Sequence, residues 1–210
     1  TSKHVIGVLR MKTGASLRLT DGRGRSAVAI ITDDHRKRCT VRLTARSSEP
    51  PPTKDVAIAI SLVKNASRFE WFLEKSTELG VSEIIPLRCA RTESEKFRPD
   101  RLQSILVSAM LQSQQSRLPR LHEPIPFDEA LRHHADHRFI AHCAEGVKND
   151  LAPALQPAGK RLILVGPEGD FTQGEIDAAL GAGFSPVALG ATRLRTETAG
   201  IVAATLLTQL

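Results

Sequence analysis

Three consecutive prolines divide this 210-residue sequence into two parts with different patterns. They lie in the stretch SSEPPPTK, residues 47–54. Proline fixes φ at about −65° and has no backbone N–H to donate, so this stretch suits neither the inside of a sheet nor the inside of a helix. We therefore predict a linker at residues 48–54, between a domain of residues 1–47 and a domain of residues 55–210.

The part before the prolines has the pattern of a small β-rich domain. SLRLTDG, AVAIIT and CTVRL are short alternating or apolar segments, and turn residues separate them at positions 21–24 and 33–35. HVIGVLRM, residues 4–11, has the spacing of a helical turn.

The part after the prolines alternates strand and helix patterns. DVAIAISL, SEIIPL, RFIAHC, RLILVG and SPVALG are apolar runs typical of buried strands. A capping box at Ser67 and Glu70 predicts the start of one helix, which would end at Gly80. Another capping box at Thr172 and Glu175 predicts a second helix. Further helices are predicted from the segment at residues 99–117 and from TETAGIVAATLLTQL. The alternation indicates an α/β domain in which helices cover both faces of a mostly parallel sheet.

The net charge of +6 is distributed unevenly along the chain. Residues 1–50 contain eleven Lys and Arg against four Asp and Glu, a net +7, and residues 51–210 contain 18 against 19, a net −1. A basic segment joined to a nearly neutral one favours binding of a nucleic acid by the first part, the alternative being that the charge only aids solubility. The positive face would be formed by Arg10, Lys12, Arg18, Arg23, Arg25, Arg36, Lys37 and Arg38.

The composition and the cysteine spacing exclude several classes of protein. Apolar residues make up 41% and charged residues 25%, as in ordinary globular proteins rather than disordered or fibrous ones. No apolar run is long enough to span a bilayer and no signal sequence is evident, so we expect a cytoplasmic protein. Cys39, Cys89 and Cys143 are far apart and show no zinc-finger spacing, which predicts reduced, structural cysteines.

Two glycine loops follow neighbouring predicted strands. GPEGDF, residues 166–171, comes after RLILV, and GATRLR, residues 190–195, comes after PVAL. Ligands of parallel sheets bind beyond the carboxyl ends of the strands, where glycine lets backbone approach them closely. Neither a Walker loop nor a dinucleotide fingerprint is present.

The first loop also carries two carboxylates, Glu168 and Asp170. One carboxylate about 6 Å from a phosphate costs roughly 3 kcal/mol at an effective dielectric near 20. An anionic ligand is therefore disfavoured. Four alternatives remain open: the side chains point away, the ligand is neutral or cationic, a metal bridges them, or the loop is only a turn.

The second loop places Arg193 and Arg195 just before a helix whose first turn contains Glu197. Arginine beside a pocket can stabilise negative charge that develops on a substrate. The alternative is that these arginines simply pair with Glu197.

A group of histidines raises the alternative of a zinc hydrolase. It comprises His133, His134, His137, His142 and Cys143, in which His133 and His137 are spaced to share a helix face. No glutamate accompanies them in an H-E-x-x-H arrangement, so we favour a solvated helix and expect no metal.

The motifs together resemble a known family. HVIGVLRMKTGASLRLTDGRG, EKSTELGVSEIIPLRCAR, GPEGDFTQGEI and LGATRLRTETA, in this order, are similar to the RsmE family of 16S ribosomal RNA uridine N3-methyltransferases. The resemblance covers nearly the whole chain. It implies a small β-rich PUA-like barrel domain followed by a SPOUT methyltransferase domain with a C-terminal trefoil knot.

The resemblance also implies a cofactor, partners and site residues. The cofactor would be S-adenosylmethionine, the substrate 16S ribosomal RNA or the small ribosomal subunit, and the assembly a homodimer. Arg195 would stabilise or position the base, and Glu197 would orient Arg195 or accept a proton through water. Cofactor binding is expected at His142, Gly166, Pro167, Glu168, Gly169, Leu189, Gly190, Leu194 and Arg195. RNA contacts are expected at Arg10, Lys12, Arg23, Arg25, Arg36, Lys37, Arg38 and Arg91.

Two departures from the family pattern keep another function open. Asp170 stands where the family has glycine, so a left-handed backbone there would be more costly. The family's Glu-Gln-Ser-x-Arg appears as residues 111–115, LQSQQ, without the acid or the arginine. The alternative function is a noncatalytic RNA-binding or ribosome-assembly protein with the same fold.

Overall fold

The computed structural model describes residues 2–94, 96–146, 148–151 and 159–209. Internal contacts divide the chain into two compact units, Thr1–Pro51 and Pro52–Leu210, which we call the N-terminal and C-terminal units. Among the described residues, no helix combines the length and apolar character needed to cross a bilayer.

The N-terminal unit is a short helix followed by a three-stranded antiparallel sheet. The predicted helical turn is present as a π-type helix, Lys3–Val8. Strands β1 (Ser16–Thr20), β2 (Arg25–Asp33) and β3 (Thr40–Ser48) pair in the order β1-β2-β3. Its interior includes Val5, Ala29 and Ile31. Within the described residues the expected β-rich domain is thus an open sheet.

The C-terminal unit alternates strands and helices, as the sequence predicts. Its strands are β4 (Lys54–Ser61), β5 (Glu83–Arg88), β6 (Arg120–Leu121), β7 (Ile125–Pro126), β8 (His137–Ala141), β9 (Asn149–Asp150), β10 (Gly159–Val165) and β11 (Ser185–Ala188). Its helices are α1 (Ala66–Glu78), α2 (Pro99–Gln112), α3 (Phe127–Ala130), α4 (Gln173–Gly181) and α5 (Thr196–Gln209).

All strand pairs described in this unit are parallel, which confirms the predicted sheet type. The strand order is β6-β5-β4-β10-β8-β11-β9, and β7 pairs with β5. Strand β10 therefore lies between β4 and β8, although both precede it in sequence.

Apolar side chains of the central strands alternate between two helical layers. Val56, Ile58 and Ile60 belong to one buried cluster, which also contains residues of α1, α2 and α5. Ala57 and Ala59 belong to the other, which contains residues of α3 and α4. A strand whose two faces are both covered reads as an apolar run, because neither set of alternate residues meets water.

Two predicted helix limits are wrong. Helix α1 begins before the expected capping box, because Asn65 Oδ1 accepts a hydrogen bond from Ser67 N at 3.0 Å and caps the helix ahead of Ser67. Helix α2 ends at Gln112 instead of residue 117, since Gln114 takes a φ of 58° that no helix can continue through. The second predicted capping box, at Thr172 and Glu175, is confirmed.

Candidate active site

The loops that follow five parallel strands lie along one edge of the sheet. We call it the carboxyl edge; it carries the loops after β4, β5, β8, β10 and β11. The first glycine loop, residues 166–171, follows β10, and the second glycine loop, here taken with Leu189 as residues 189–195, follows β11. The parallel pairing thus brings both predicted loops to the same edge.

Asp170 connects the first glycine loop to the loop after β8. Its backbone is left-handed, with a φ of 64°. Its Oδ2 accepts a hydrogen bond from Cys143 N at 2.8 Å, and its Oδ1 accepts one from Phe171 N at 2.9 Å. The departure from glycine therefore has a structural role here. The Cβ of Asp170 makes the left-handed backbone more costly, but the carboxylate that it carries joins two loops.

Glu168 connects the same loop to the end of β4. Its Oε1 accepts a hydrogen bond from Lys64 N at 3.1 Å. Both carboxylates of the loop are thus directed at backbone donors of neighbouring loops, which is the first of the four alternatives that the sequence left open.

Arg91 and Glu175 fix the loop after β5 in the same way. Arg91 donates from Nη1 to the carbonyl oxygens of Gly169, at 2.8 Å, and Phe171, at 3.4 Å. Glu175 Oε1 accepts a hydrogen bond from Ala90 N at 2.8 Å. The guanidinium of Arg91, which we predicted to contact RNA, is therefore engaged with the first glycine loop.

His142 follows β8 and carries two buried ring nitrogens. Neither has a hydrogen-bond partner among the described residues. Burial, together with the charge of Lys148, holds the pKa of His142 below its ordinary value, although Asp170 acts in the opposite direction. The imidazole is therefore neutral near pH 7 and offers both a donor and an acceptor to a ligand.

The second glycine loop is more open. Gly190 has a φ of 142°, and a Cβ at this position would meet no heavy atom within 4 Å. Leu189 and Leu194 are half-buried, whereas Arg193 and Arg195 are exposed. The loop thus offers glycine backbone and space, with two cations directed to solvent.

Glu197 does not pair with the arginines of its own loop. It is 6% exposed, and its Oε1 lies 3.6 Å from Nε of Arg68, in α1. In the described part of the chain no ion pair joins it to Arg193 or Arg195, so the alternative in which these arginines simply pair with Glu197 is wrong. Its Oε2 is buried and has no partner among the described residues.

The predicted RNA-contacting residues of the N-terminal unit are all exposed. They are Arg10, Lys12, Arg23, Arg25, Arg36, Lys37 and Arg38. Two of them form ion pairs: Lys12 Nζ lies 3.6 Å from Asp34 Oδ2, and Arg25 Nε lies 2.7 Å from Asp21 Oδ2. The Arg23 backbone N–H and the Arg25 side chain bond to Asp21 and lower its pKa to about 2.

The histidine group does not form a helix face. His137 begins β8, and His133 Nε2 lies 3.1 Å from Glu83 Oε2, at the opposite edge of the sheet from the glycine loops. Within the described ranges no group of three or more metal-binding side chains converges. The solvated-helix interpretation is therefore wrong for these residues.

Sequence patterns missed the residues that join the loops. Lys64, two residues before α1, and Arg68, in its first turn, lie 104 and 129 positions before their partners Glu168 and Glu197. The available signal was Asn65, since a strong N-cap directly after a buried strand places a helix start at the carboxyl edge. Within residues 111–115, Gln115 contacts α1 instead of the glycine loops, since it donates to the carbonyls of Thr77 and Glu78.

Comparisons with known proteins agree with this arrangement. A model of the RNA methyltransferase domain matches residues 49–208, and a model of the RNA methyltransferase PUA domain matches residues 1–44. The ribosomal RNA small subunit methyltransferase E of Mycobacterium tuberculosis is 31% identical over 95% of this chain and 80% of its own length.

Solved structures show the same similarity. The "probable rRNA-methyltransferase" of Porphyromonas gingivalis is 41% identical with a TM-score of 0.88, over 97% of this chain and 90% of that chain. The ribosomal RNA small subunit methyltransferase E of Neisseria gonorrhoeae, solved bound to S-adenosyl methionine, is 30% identical with a TM-score of 0.86, over 98% and 87%. This chain therefore belongs to the RNA methyltransferase family, in the group of ribosomal RNA small subunit methyltransferase E.

Proposed function

We propose that this protein transfers a methyl group from S-adenosylmethionine to N3 of a uridine in 16S ribosomal RNA. The observation that carries the proposal is the hydrogen-bonded joining of the loops along the carboxyl edge. The first glycine loop is tied to three others by Asp170, Glu168 and Arg91. This builds one pre-formed site from loops far apart in sequence, as cofactor binding requires.

The residues at this edge fit S-adenosylmethionine. Gly190 leaves space where a side chain would stand, and the buried ring nitrogens of His142 have no partner in the described structure. The cofactor would be held by His142, Gly166, Pro167, Glu168, Gly169, Leu189, Gly190, Leu194 and Arg195. The carboxylates of the first loop accept from backbone N–H groups of the protein, so they are engaged in joining loops.

The transfer needs an acceptor for the uracil N3 proton and a stabiliser for the resulting imide anion. When bound, S-adenosylmethionine would supply an electrophilic methyl group on its cationic sulfonium, with its thioether as the leaving group in exchange for the new bond to N3. Glu197 is the proposed proton acceptor, directly or through water, because its Oε2 has no partner in the described structure. Arg195, exposed in the second glycine loop, would stabilise the anion.

The basic residues of the N-terminal unit would contact the RNA backbone. Seven exposed cations in one small unit form an electrostatic footprint for phosphate. The match to the RNA methyltransferase PUA domain supports this assignment. Their role would be affinity and not chemistry, since phosphate contacts are independent of the reacting base.

We also infer a trefoil knot, a homodimer and a cytoplasmic location. The insertion of β10 between two earlier strands supports the knot, because threading requires a late strand to re-enter the sheet. The resemblance to the RsmE family supports the dimer. A ribosomal RNA substrate supports the cytoplasm.

Calorimetric titration with S-adenosylmethionine tests the proposed cofactor. We expect micromolar binding by the wild type and weaker binding by Gly190→Val, because a branched side chain at a φ of 142° strains the loop. Gly174→Ala is the matched control, since a Cβ at this helical glycine meets nothing within 4 Å. Absence of binding by the wild type would favour a noncatalytic RNA-binding protein and contradict the proposal.

A further inference from the structure

Glu197 is a buried carboxylate with one oxygen that has no partner among the described residues. Its side chain is 7% exposed, and its Oε1 is near Nε of Arg68 at 3.6 Å. Its Oε2 is inaccessible to solvent and has no partner among the described residues. A charge in such a place needs a counter-charge, because water cannot screen it.

The close approach of α5 to α1 fixes the distance between Glu197 and Arg68. Gly200 lies one turn after Glu197, and Phe72 lies one turn after Arg68. A Cβ at Gly200 would stand only 2.6 Å from Phe72 Cε2 and 2.8 Å from Ile60 Cδ1. The two helices therefore touch through the glycine, and the residues one turn earlier are brought face to face.

Arg68 also lies close in sequence to a residue that is bonded to the first glycine loop. It is in the first turn of α1, four residues after Lys64, whose N–H is bonded to Glu168 of the first glycine loop. Its partner Glu197 lies in the first turn of α5, two residues after the end of the second glycine loop. The chain at the start of α1 thus contacts Glu168 of the first glycine loop and Glu197 of α5, and the side chain of Arg68, 38% exposed, lies beside the buried carboxylate.

We propose that Arg68 is a positioning residue, which holds the Glu197 carboxylate in place through Oε1 and leaves Oε2 as the acceptor for the substrate's proton. Arg68 acts through Oε1, and only Glu197 would exchange a proton with the substrate. This inference rests on the proposed methyltransferase function and adds to it a residue from an element far from the glycine loops in sequence.

The proposal predicts a loss of turnover with little loss of binding. In Arg68→Met the carboxylate lacks its counter-charge, so we expect kcat to fall about tenfold to hundredfold, which is part of the roughly 10²- to 10⁴-fold that a general base contributes. KM for the RNA and Kd for S-adenosylmethionine should stay within about twofold. Arg68→Lys should recover most of the turnover, because the charge is retained.

A double-mutant cycle tests whether Arg68 acts on turnover through Glu197. Arg68→Met added to Glu197→Gln should lower kcat no further than Glu197→Gln alone, because the positioning residue then has nothing to position. Arg101→Met is the matched control: Arg101 in α2 bonds to Glu70 of α1 on the exposed surface, with Nη2 to Oε2 at 2.8 Å. It should keep the wild-type kcat.

Three results would overturn the proposal. The first is an unchanged kcat in Arg68→Met, and the second is a rise in KM with no fall in kcat. The third is a double variant whose kcat is lowered by the product of the two single effects.

If the wild type transfers no methyl group, the proposed function fails. Thermal unfolding of the wild type, the two single variants and the double variant still tests whether Arg68 and Glu197 form a pair. If the two residues are coupled, Arg68→Met lowers the Tm of the wild type and leaves the Tm of the Glu197→Gln variant unchanged. An equal Tm shift from Arg68→Met in both proteins would show that Arg68 and Glu197 are not a pair. Arg68→Lys serves in the same cycle if Arg68→Met does not fold.

Discussion

Asp170 and Cys143 join two loops of the candidate active site through one hydrogen bond, from Cys143 N to Asp170 Oδ2 at 2.8 Å. The bond coincides with a left-handed backbone at Asp170, where φ is 64°. Asp tolerates this conformation better than most residues, and its carboxylate offsets part of the strain by bonding neighbouring backbone. Asp170 therefore replaces the flexibility of glycine with a cross-link.

Replacement of Asp170 by alanine should destabilise the protein by about 2 kcal/mol. The change keeps a Cβ in the left-handed region and removes the acceptor of two backbone N–H groups. Asp170→Gly should cost less, because the backbone strain disappears together with the bonds. Urea unfolding measures both variants. Equal stabilities of the alanine and glycine variants would contradict the strain argument.

Gly200→Ala should destabilise the protein by about 1–3 kcal/mol. The added methyl group would lie 2.6 Å from Phe72 Cε2, so α5 and α1 must separate. Gly174→Ala, in the exposed part of α4, is the control and should be neutral or stabilising, because alanine is the better helix former. Differential scanning calorimetry distinguishes the two changes. A neutral Gly200→Ala would show that the helices are not in this close contact.

Acidification should destabilise the protein through the cluster of Glu83, His122, His133 and Lys160. Glu83 Oε2 lies 3.2 Å from His122 Nε2 and 3.1 Å from His133 Nε2, and its Oε1 accepts from Lys160 at 2.9 Å. Burial lowers the pKa of His122 although the charge of Glu83 opposes it. Burial of Glu83 would raise its pKa, but Lys160 and then the two histidines outweigh this and hold the pKa of Glu83 below its ordinary value.

Both lowered pKa values act in the same direction. The unfolded chain binds more protons than the folded one, at His122 below pH about 6.5 and at Glu83 below about 4.3. Stability should thus decrease from pH 7 downward in two stages. Glu83→Gln should cost about 1–3 kcal/mol at pH 7 and weaken the lower stage, whereas the exposed Asp177→Asn should change little. Urea unfolding at pH 7.5, 5.5 and 4 measures this, and an unaltered lower stage in Glu83→Gln would refute it.

The cysteines should differ strongly in reactivity. Burial, assisted by the charge of Glu175, raises the pKa of Cys89 to about 12, so almost no thiolate exists at pH 8. Cys143 is exposed beside His142. We expect maleimide to label Cys143 readily and to leave Cys89 unlabelled in the folded protein, with S-adenosylmethionine slowing the labelling of Cys143. Peptide mass mapping measures the extent of labelling at each cysteine. Labelling of Cys89 before Cys143 would contradict the burial of Cys89.

RNA affinity should depend steeply on salt through the N-terminal unit. Substituting glutamine for Arg36, Lys37 and Arg38 should reduce the slope of log K against log salt concentration by up to about 3, or about 0.9 for each phosphate that is no longer neutralised. Lys75→Gln, which removes a cation bonded to Glu74 and Glu78, is the control. Filter binding at several salt concentrations measures the slopes. An unchanged slope in the triple variant would place the RNA elsewhere.

Local patterns in the sequence account for the strands, helices and glycine loops. They do not account for the order of the strands or for the side chains that join the loops. The apolar runs predict the parallel sheet, and the glycines at 166 and 190 predict loops at its carboxyl edge, because both signals lie within a few consecutive residues. The position of β10 between β4 and β8 depends on pairings across about 105 and 24 residues, which no local period encodes. For the same reason Glu197 was expected beside Arg195, its neighbour in sequence, although α1 provides Arg68.

The most direct test of the account is the identity of the methylated nucleoside. Purified protein, S-adenosylmethionine and small ribosomal subunits from a strain that lacks this protein are incubated, and the 16S RNA is digested and analysed by mass spectrometry. We expect N3-methyluridine at one position, formed about 10²- to 10⁴-fold more slowly when Glu197→Gln replaces the wild type. Methylation at another atom, or none in either free RNA or assembled subunits, would contradict the proposed function.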